Sequence, residues 1–249
     1  MIILKTAKEI ELLKEAGRIS AGALRVAKDA LRVGVSTAYI DDAVRAYILS
    51  QGATPSFLNY GGFPKSACIS VNNEVIHGIP DEKTIIKEGD IVSVDVGANY
   101  KGYHGDNAAT FAVGTISNEA QTLLDVTRES LQQALKVAVK GNRIGDIGHA
   151  VQAHVEKHGF SVVREYIGHG VGRDLHEDPE VPNYGRAGHG PRLVPGMVIA
   201  IAPMVNMGAH AVKTLGNGWT VVTRDGSLSA HFEYTIAITD GAPLILTKE

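Results

Sequence analysis

The chain has 249 residues, 44% of them hydrophobic and 20% charged, with 24 Lys and Arg against 27 Asp and Glu for a formal net charge of −3. This is the composition of a globular protein with a sizeable core, and it lacks the dense basic block that would mark nucleic acid or an anionic membrane as a partner. One cysteine, Cys68, excludes an internal disulfide; Met1-Ile2-Ile3-Leu4-Lys5 is too short an apolar run for a signal peptide, and no later run reaches the ~20 residues of a membrane span, so a cytoplasmic location is expected.

In chain order, Thr6 and Glu9 form a capping box that opens an apolar pattern through Ile10, Leu13, Gly17, Leu24 and Leu31, closed by Gly34. A second helix is predicted from Thr37 to Leu49, ending at Gly52, and two more over 118–139 and 144–157. Strand patterns cover Ile91–Gly97 and Tyr103–Phe111, then Met197–Ile201, Thr220–Thr223, Ala230–Ile238 and Leu244–Leu246. The two helical regions share residues at one offset: Leu24, Gly34, Ile40, Val44 and Gly52 recur as Leu131, Gly141, Ile147, Val151 and Gly159, as do Ala43 and Ala46 as Ala150 and Ala153. An ungapped shared register points to a duplicated helix–helix–strand unit, with halves of about 1–115 and 116–249 in one α/β domain and a cleft along the pseudo-twofold between them.

The hairpin carries the chemistry. With Tyr100 and Lys101 at its tip, Asp95 faces Asp106, and opposed residues of an antiparallel pair have β-carbons about 4.5–5.5 Å apart. Two carboxylates that close repel unless a proton or cation lies between them, and a pair of metal ions roughly 3.5–4 Å apart fits such a gap. A solvated polar face on an edge hairpin would also satisfy this stretch taken alone. His169 and His176 flank a glycine-rich run that lets other backbone approach closely. Glu233 alternates with the apolar face Phe232, Tyr234, Ile236 and Ile238, so by periodicity alone it points away from the core as an ordinary exposed strand residue. Other chemistries are absent: Pro179 rules out a zincin helix after His176, Gly168, Gly170 and Gly172 lack dinucleotide-loop spacing, and there is neither a Walker loop nor a G-x-S-x-G nucleophile.

As a set, the motifs Val71-Asn72-Asn73-Glu74-Val75-Ile76-His77-Gly78-Ile79-Pro80, Ser93-Val94-Asp95-Val96-Gly97, Gly105-Asp106, Gly168-His169-Gly170-Val171-Gly172, Leu175-His176-Glu177, Pro203-Met204-Val205 and Phe232-Glu233 resemble the type I methionine aminopeptidases over essentially the whole chain. The chain lacks the N-terminal zinc-binding extension of some relatives and the long insert of the type II enzymes, so it is similar to the short bacterial form. The resemblance implies a pita-bread α/β fold of two pseudo-twofold-related halves around a central antiparallel sheet. It also implies a cytoplasmic, monomeric hydrolase that removes the initiator methionine from nascent polypeptide N-termini near the ribosome when the second residue is small, with neither nucleic acid nor membrane as a partner.

Carried over by position, the resemblance makes Asp95 a ligand of one divalent ion, Asp106 and Glu233 carboxylates bridging two, and His169 a ligand of the other; Mn, Fe, Co and Zn suit these donors alike. His77 and His176 match the histidines that hydrogen-bond the scissile amide and polarise its carbonyl. Tyr60, Phe63, Cys68 and Trp219 fall where the methionine pocket is lined, with Phe57 and Leu175 beside them; without the family, Phe63 and Trp219 would read as core. His231 is given no part in the chemistry. One departure stands out: the family pattern has glutamate immediately before Pro-Met, and here that place holds Ala202. The missing carboxylate would bind the His169-side ion and serve as general base, so weakened or absent turnover is expected. The alternative is a non-catalytic relative that binds peptide N-termini or a protein partner through the same cleft; a proline dipeptidase of this fold is disfavoured by the short chain.

Overall fold

The structure, a computed structural model, describes residues 1–248. Its helices are α1 (Ala7–Ala30), α2 (Thr37–Ser50), α3 (Asn118–Val137) and α4 (Ile144–Lys157). The strands of the first half are β1 (Thr54–Pro55), β2 (Ala67–Val71), β3 (Glu74–Ile76), β4 (Ile91–Tyr100) and β5 (Tyr103–Ala112). Those of the second are β6 (Ser161–Val162), β7 (Gly168–Gly170), β8 (Glu177–Val181), β9 (Val198–Ile201), β10 (Met204–Asn206), β11 (Val212–Thr214), β12 (Val221–Thr223), β13 (Ser229–His231), β14 (Tyr234–Ala237) and β15 (Leu244–Ile245). The predicted helices form where caps and glycines place them. The Thr6 hydroxyl accepts from the Glu9 amide while the Glu9 carboxylate accepts from the Thr6 amide at 2.9 Å, and Ser36 and Ser117 cap α2 and α3.

The repeat is visible in the hydrogen bonds. The Gly34 amide donates to the Ile86 carbonyl, and 107 residues later that of Gly141 donates to Leu193; Thr37 to Thr84 is repeated as Ile144 to Pro191, and Ala53 to Ile48 as Phe160 to Val155. Gly34 and Gly141 have φ of 90° and 95°, a region that costs glycine nothing and other residues strain, so these two glycines recur for a conformational reason. In each half the helix pair buries its apolar face in a core shared with strands, α1 and α2 with residues of β2 and β4 and α3 and α4 with residues of β9 and β14, with Ile19, Ile40 and Val44 in one core and Leu131, Ile147 and Val151 in the other.

Among the described residues all the strand pairings are antiparallel. β4 is flanked by β5 on one side and by β1 and β2 on the other; β15, β14, β9, β7 and β8 form a sheet in that order, and two small sheets are ordered β13–β10–β6 and β11–β12–β3. The register of the β4–β5 hairpin differs from expectation. Lys101 and Gly102, both at positive φ (51° and 80°), make the two-residue turn, so Tyr100 pairs Tyr103, Asp95 pairs Ala108, and Asp106 pairs Gly97. Positive φ at both central residues matches the strands' twist, and it moves the tip one residue beyond the Tyr100–Lys101 turn. Asp95 and Asp106 are therefore diagonal neighbours on one sheet face, not directly opposed. The run 230–238 is also two strands, β13 and β14, in one register with β10 and β9 but interrupted at Phe232 and Glu233, opposite Pro203 and Ala202, where the Glu233 amide bonds to Ala108 instead.

Candidate active site

The two halves meet where β5 touches the break between β13 and β14. Glu233 donates its amide to the Ala108 carbonyl at 2.9 Å and accepts from the Ala108 amide at 3.4 Å. On either side of that bridge, the Thr235 hydroxyl donates to the Asp106 carbonyl at 2.7 Å and the Thr110 hydroxyl to the His231 carbonyl at 3.0 Å. The bridge turns the Glu233 side chain into the cleft, where it is 3% exposed, and the expectation of an exposed strand residue is corrected. The alternation of residues 232–238 misled because both faces of this segment are covered: Ile236 sits in the helical core while Glu233 and Thr235 are buried on the cleft side.

Asp95, Asp106, His169 and Glu233 line one end of a single pocket, together with Ala202 and His231. One donor atom from each of Asp106, His169 and Glu233 lies within 4.8 Å of the other two, and the same is true of Asp95, His231 and Glu233. The Asp95 Oδ1, Asp106 Oδ1 and His231 Nε2 atoms are buried without a hydrogen-bond partner. Burial and the neighbouring carboxylates push the Asp95 and Asp106 carboxyls well above their ordinary range, and burial raises Glu233 to about 8. Burial lowers His169 to about 4 and His231 to about 3, leaving both imidazoles neutral at pH 7. His169 Nδ1 lies 2.9 Å from the Gly170 carbonyl, which can only accept, so Nδ1 carries the proton and Nε2 presents its lone pair 3.6 Å from Asp106 Oδ2. Acids held uncharged chiefly by burial beside neutral imidazoles are a donor set that fits divalent cations.

The other end of the pocket is apolar. Phe57, Phe63, Cys68 and Leu175 are buried together, with Trp219 edge-on to Phe63 at 5.2 Å between ring centroids. Phe63 is thus both core and lining. β2 holds Cys68 across from Asp95, and buried Asp41 on α2 accepts from the Ser66 and Ala67 amides at 2.9 and 2.8 Å, fixing that strand. Burial pushes the Cys68 thiol up, so it stays protonated.

Between the two ends stand the histidines. His77 follows β3 at φ 58°, a strained conformation of the kind that clusters at functional sites, and its ring meets Tyr166 and Trp219 edge-on. Burial lowers it to about 4. His176 is exposed, with Nδ1 2.7 Å from the Tyr60 hydroxyl and its ring 4.1 Å from that of His169. All the expected site residues therefore line one cavity. Sequence reasoning missed Tyr166, Met204 and above all His231; the last shares a strand face with Glu233 two residues away, a signal that was present in the chain.

The sequence profile of metallopeptidase family M24 matches residues 11–240. The chain belongs to the M24 metallopeptidases. It is 54% identical over 247 residues to the methionine aminopeptidase of Clostridium acetobutylicum, covering 99% of each chain, and 53% identical over 248 residues to methionine aminopeptidase 1 of Bacillus subtilis, covering 100% of each. The crystal structure of methionine aminopeptidase from Thermotoga maritima matches over 100% of both chains at 48% identity with a TM-score of 0.99. Its pita-bread fold is that of the M24 family, and the carboxylate and imidazole cluster lies within the matched region.

Proposed function

We propose that this M24 chain is a methionyl aminopeptidase that removes the initiator methionine from polypeptides with a small second residue, and that Ala202 holds its turnover low. The observation that carries the reading is one pocket with a metal-ligand cluster at one end and a box of aromatic, aliphatic and sulfur-bearing side chains at the other. An unbranched thioether suits such a box through soft contacts with ring edges, and an N-terminal Lys or Glu side chain would bury an unpaired charge there. Asp95, Asp106, His169 and Glu233 would hold two divalent ions, of Mn, Fe, Co or Zn. Such ions supply Lewis acidity at the scissile carbonyl and a water acidic enough to be a nucleophile near neutral pH.

The chain's own groups do the rest. His77, uncharged at neutral pH, and His176, oriented by Tyr60, would hydrogen-bond the scissile amide and stabilise charge developing on its carbonyl oxygen. Tyr60, Phe63, Cys68 and Trp219 would bind the methionine side chain. At position 202 a methyl group stands where the family pattern offers a proton acceptor and a ligand, which is the reason for low turnover. We place the chain as a single catalytic domain with halves of about 1–115 and 116–249, monomeric, cytoplasmic and acting on nascent chains near the ribosome; among the described residues no helix is long and apolar enough to cross a membrane.

Ala202 also favours a second reading, a non-catalytic relative that captures peptide N-termini in the same pocket. Turnover of Met-Ala-Ser with Mn, Co, Fe or Zn, alongside competitive binding of Met-, Lys- and Glu-initiated peptides, separates the two. Metal-dependent release of methionine supports the enzyme, whereas methionine-selective binding without release with any ion supports the binding protein. Absence of any preference for methionine overturns the pocket assignment in both.

A further inference from the structure

His231 is 3% exposed, its Nε2 has no hydrogen-bond partner, and the closest carboxylate oxygen, Glu233 Oε2, lies 3.5 Å away. That distance is beyond the 2.7–3.2 Å of an N–H···O bond, and buried nitrogens without partners are rare enough to need a cause. Asp95 Oδ1 is orphaned in the same way, and one donor atom each from Asp95, His231 and Glu233 lies within 4.8 Å of the other two. Two unsatisfied atoms and a second carboxylate thus converge on one gap.

The internal repeat accounts for the convergence. The β4–β5 and β9–β14 pairs share a pairing register, with Ile91 opposite Ala112 in one and Val198 opposite Ala237 in the other. Continuing along those strands, Asp95 corresponds to Ala202, Ala108 to Glu233, and Asp106 to His231. The backbone repeats the match, because the Thr110 hydroxyl exchanges hydrogen bonds with the backbone of His231 as the Thr235 hydroxyl does with that of Asp106. His231 therefore looks into the centre from the second half as Asp106 does from the first.

We propose that His231 is a ligand of the ion held by Asp95 and Glu233, so that each of the two metal positions has one imidazole of its own, His169 on one side and His231 on the other. The inference rests on the metallohydrolase reading above and adds the nitrogen donor on the Asp95 side. An imidazole there biases that position toward Zn and Co over Mg and Mn, so both positions select the same class of ion.

The test uses the whole chain stripped of metal and titrated with Zn2+, following the histidine rings by long-range proton–nitrogen NMR. Expected is movement of one nitrogen of His169 and one of His231 to the coordinated range, with His231 assigned by its loss in H231Q. Calorimetry of H231Q should show one Zn2+ binding step weakened at least about 10-fold, since loss of even an outer-shell partner of a ligand commonly costs 10–100-fold. The unfolding midpoint of metal-free H231Q checks its fold; if that variant does not fold, backbone assignment identifies His231 in the wild-type spectra, which then decide alone. Movement of His169 without His231, or unchanged Zn2+ affinity in folded H231Q, overturns the proposal and leaves the metallohydrolase reading intact. Zn2+ that moves neither ring overturns both.

Discussion

At position 202 the chain presents a methyl group to a pocket lined by titratable, aromatic and aliphatic side chains. Replacing it by Glu should restore a proton acceptor and a ligand together. A202E is expected to raise kcat/KM on Met-Ala-Ser by roughly 10²-fold or more, the scale of a general-base contribution. In that restored background D106N should abolish turnover, because it removes an anionic oxygen from the centre of the cluster. A202E that stays inactive with Mn, Co and Fe each in excess would shift the assignment to the peptide-binding relative. Most of these site residues were legible in the sequence because they sit in dense local motifs: His169 among glycines, His77 before Gly78-Ile79-Pro80, Asp95 and Asp106 on one hairpin. Glu233 and His231 were harder to read. Their orientation depends on the bridge from Glu233 to Ala108, a contact spanning 125 residues that no local periodicity encodes.

The β4–β5 hairpin is held in place by α1 through a contact between two glycines. A Cβ at Gly105 would lie 2.5 Å from the Gly17 nitrogen and 2.6 Å from the Ala16 carbonyl carbon, both backbone atoms that cannot yield. G105A should therefore push the hairpin off α1 and displace Asp106 next to it. Overpacking of this kind costs about 1–3 kcal/mol, so the unfolding midpoint should fall by roughly 2–10 °C for a domain of this size, with weaker metal binding in calorimetry. An unchanged midpoint would mean that the helix and hairpin adjust without strain. The same helix bears on the acid limb of stability. Glu9 is lowered to about 2 by the Thr6 amide, the Thr6 hydroxyl and the Tyr103 hydroxyl, the last reaching it from β5 at 3.0 Å. A carboxylate with a depressed folded-state pKa stabilises fully above its unfolded value near 4.5, and that contribution is lost as pH falls through 2. Denaturation of E9Q should accordingly show a shallower loss of stability between pH 4.5 and 2 than wild type, and parallel curves would contradict the role. At this scale the helices were legible almost to the residue, since caps and glycines are local signals; the hairpin register was not, because Lys101 at positive φ is a choice of the folded turn and not of its composition.

For the whole molecule, the cleft cluster takes donors from both halves: Asp95 and Asp106 come from the first hairpin, His169 and Glu233 from the second sheet. The duplicated pattern at a constant offset was readable in the sequence, and the hydrogen bonds repeat it; what the offset could not tell was which side chains of the second half meet the first hairpin, since that depends on how the two sheets are docked. Without cations the docked cluster brings together acids that stay protonated in the fold, so raising pH from 4.5, the ordinary value for Glu233, to its folded value of about 8 works progressively against the closed arrangement, and the penalty levels off above that. Divalent ions held by donors from both halves would offset that penalty, so binding should appear as stability of the entire chain. At an ion concentration 100 times the dissociation constant the gain is about 2.7 kcal/mol, or roughly 5–10 °C in the unfolding midpoint at this chain length. The shift should be larger in A202E, which adds a ligand, and smaller in D106N, which removes one, and a chelator should reverse it in all three. A midpoint indifferent to Mn, Co and Zn in wild type and A202E alike would mean that the cluster does not hold ions, and would remove the physical basis for a hydrolase in this fold.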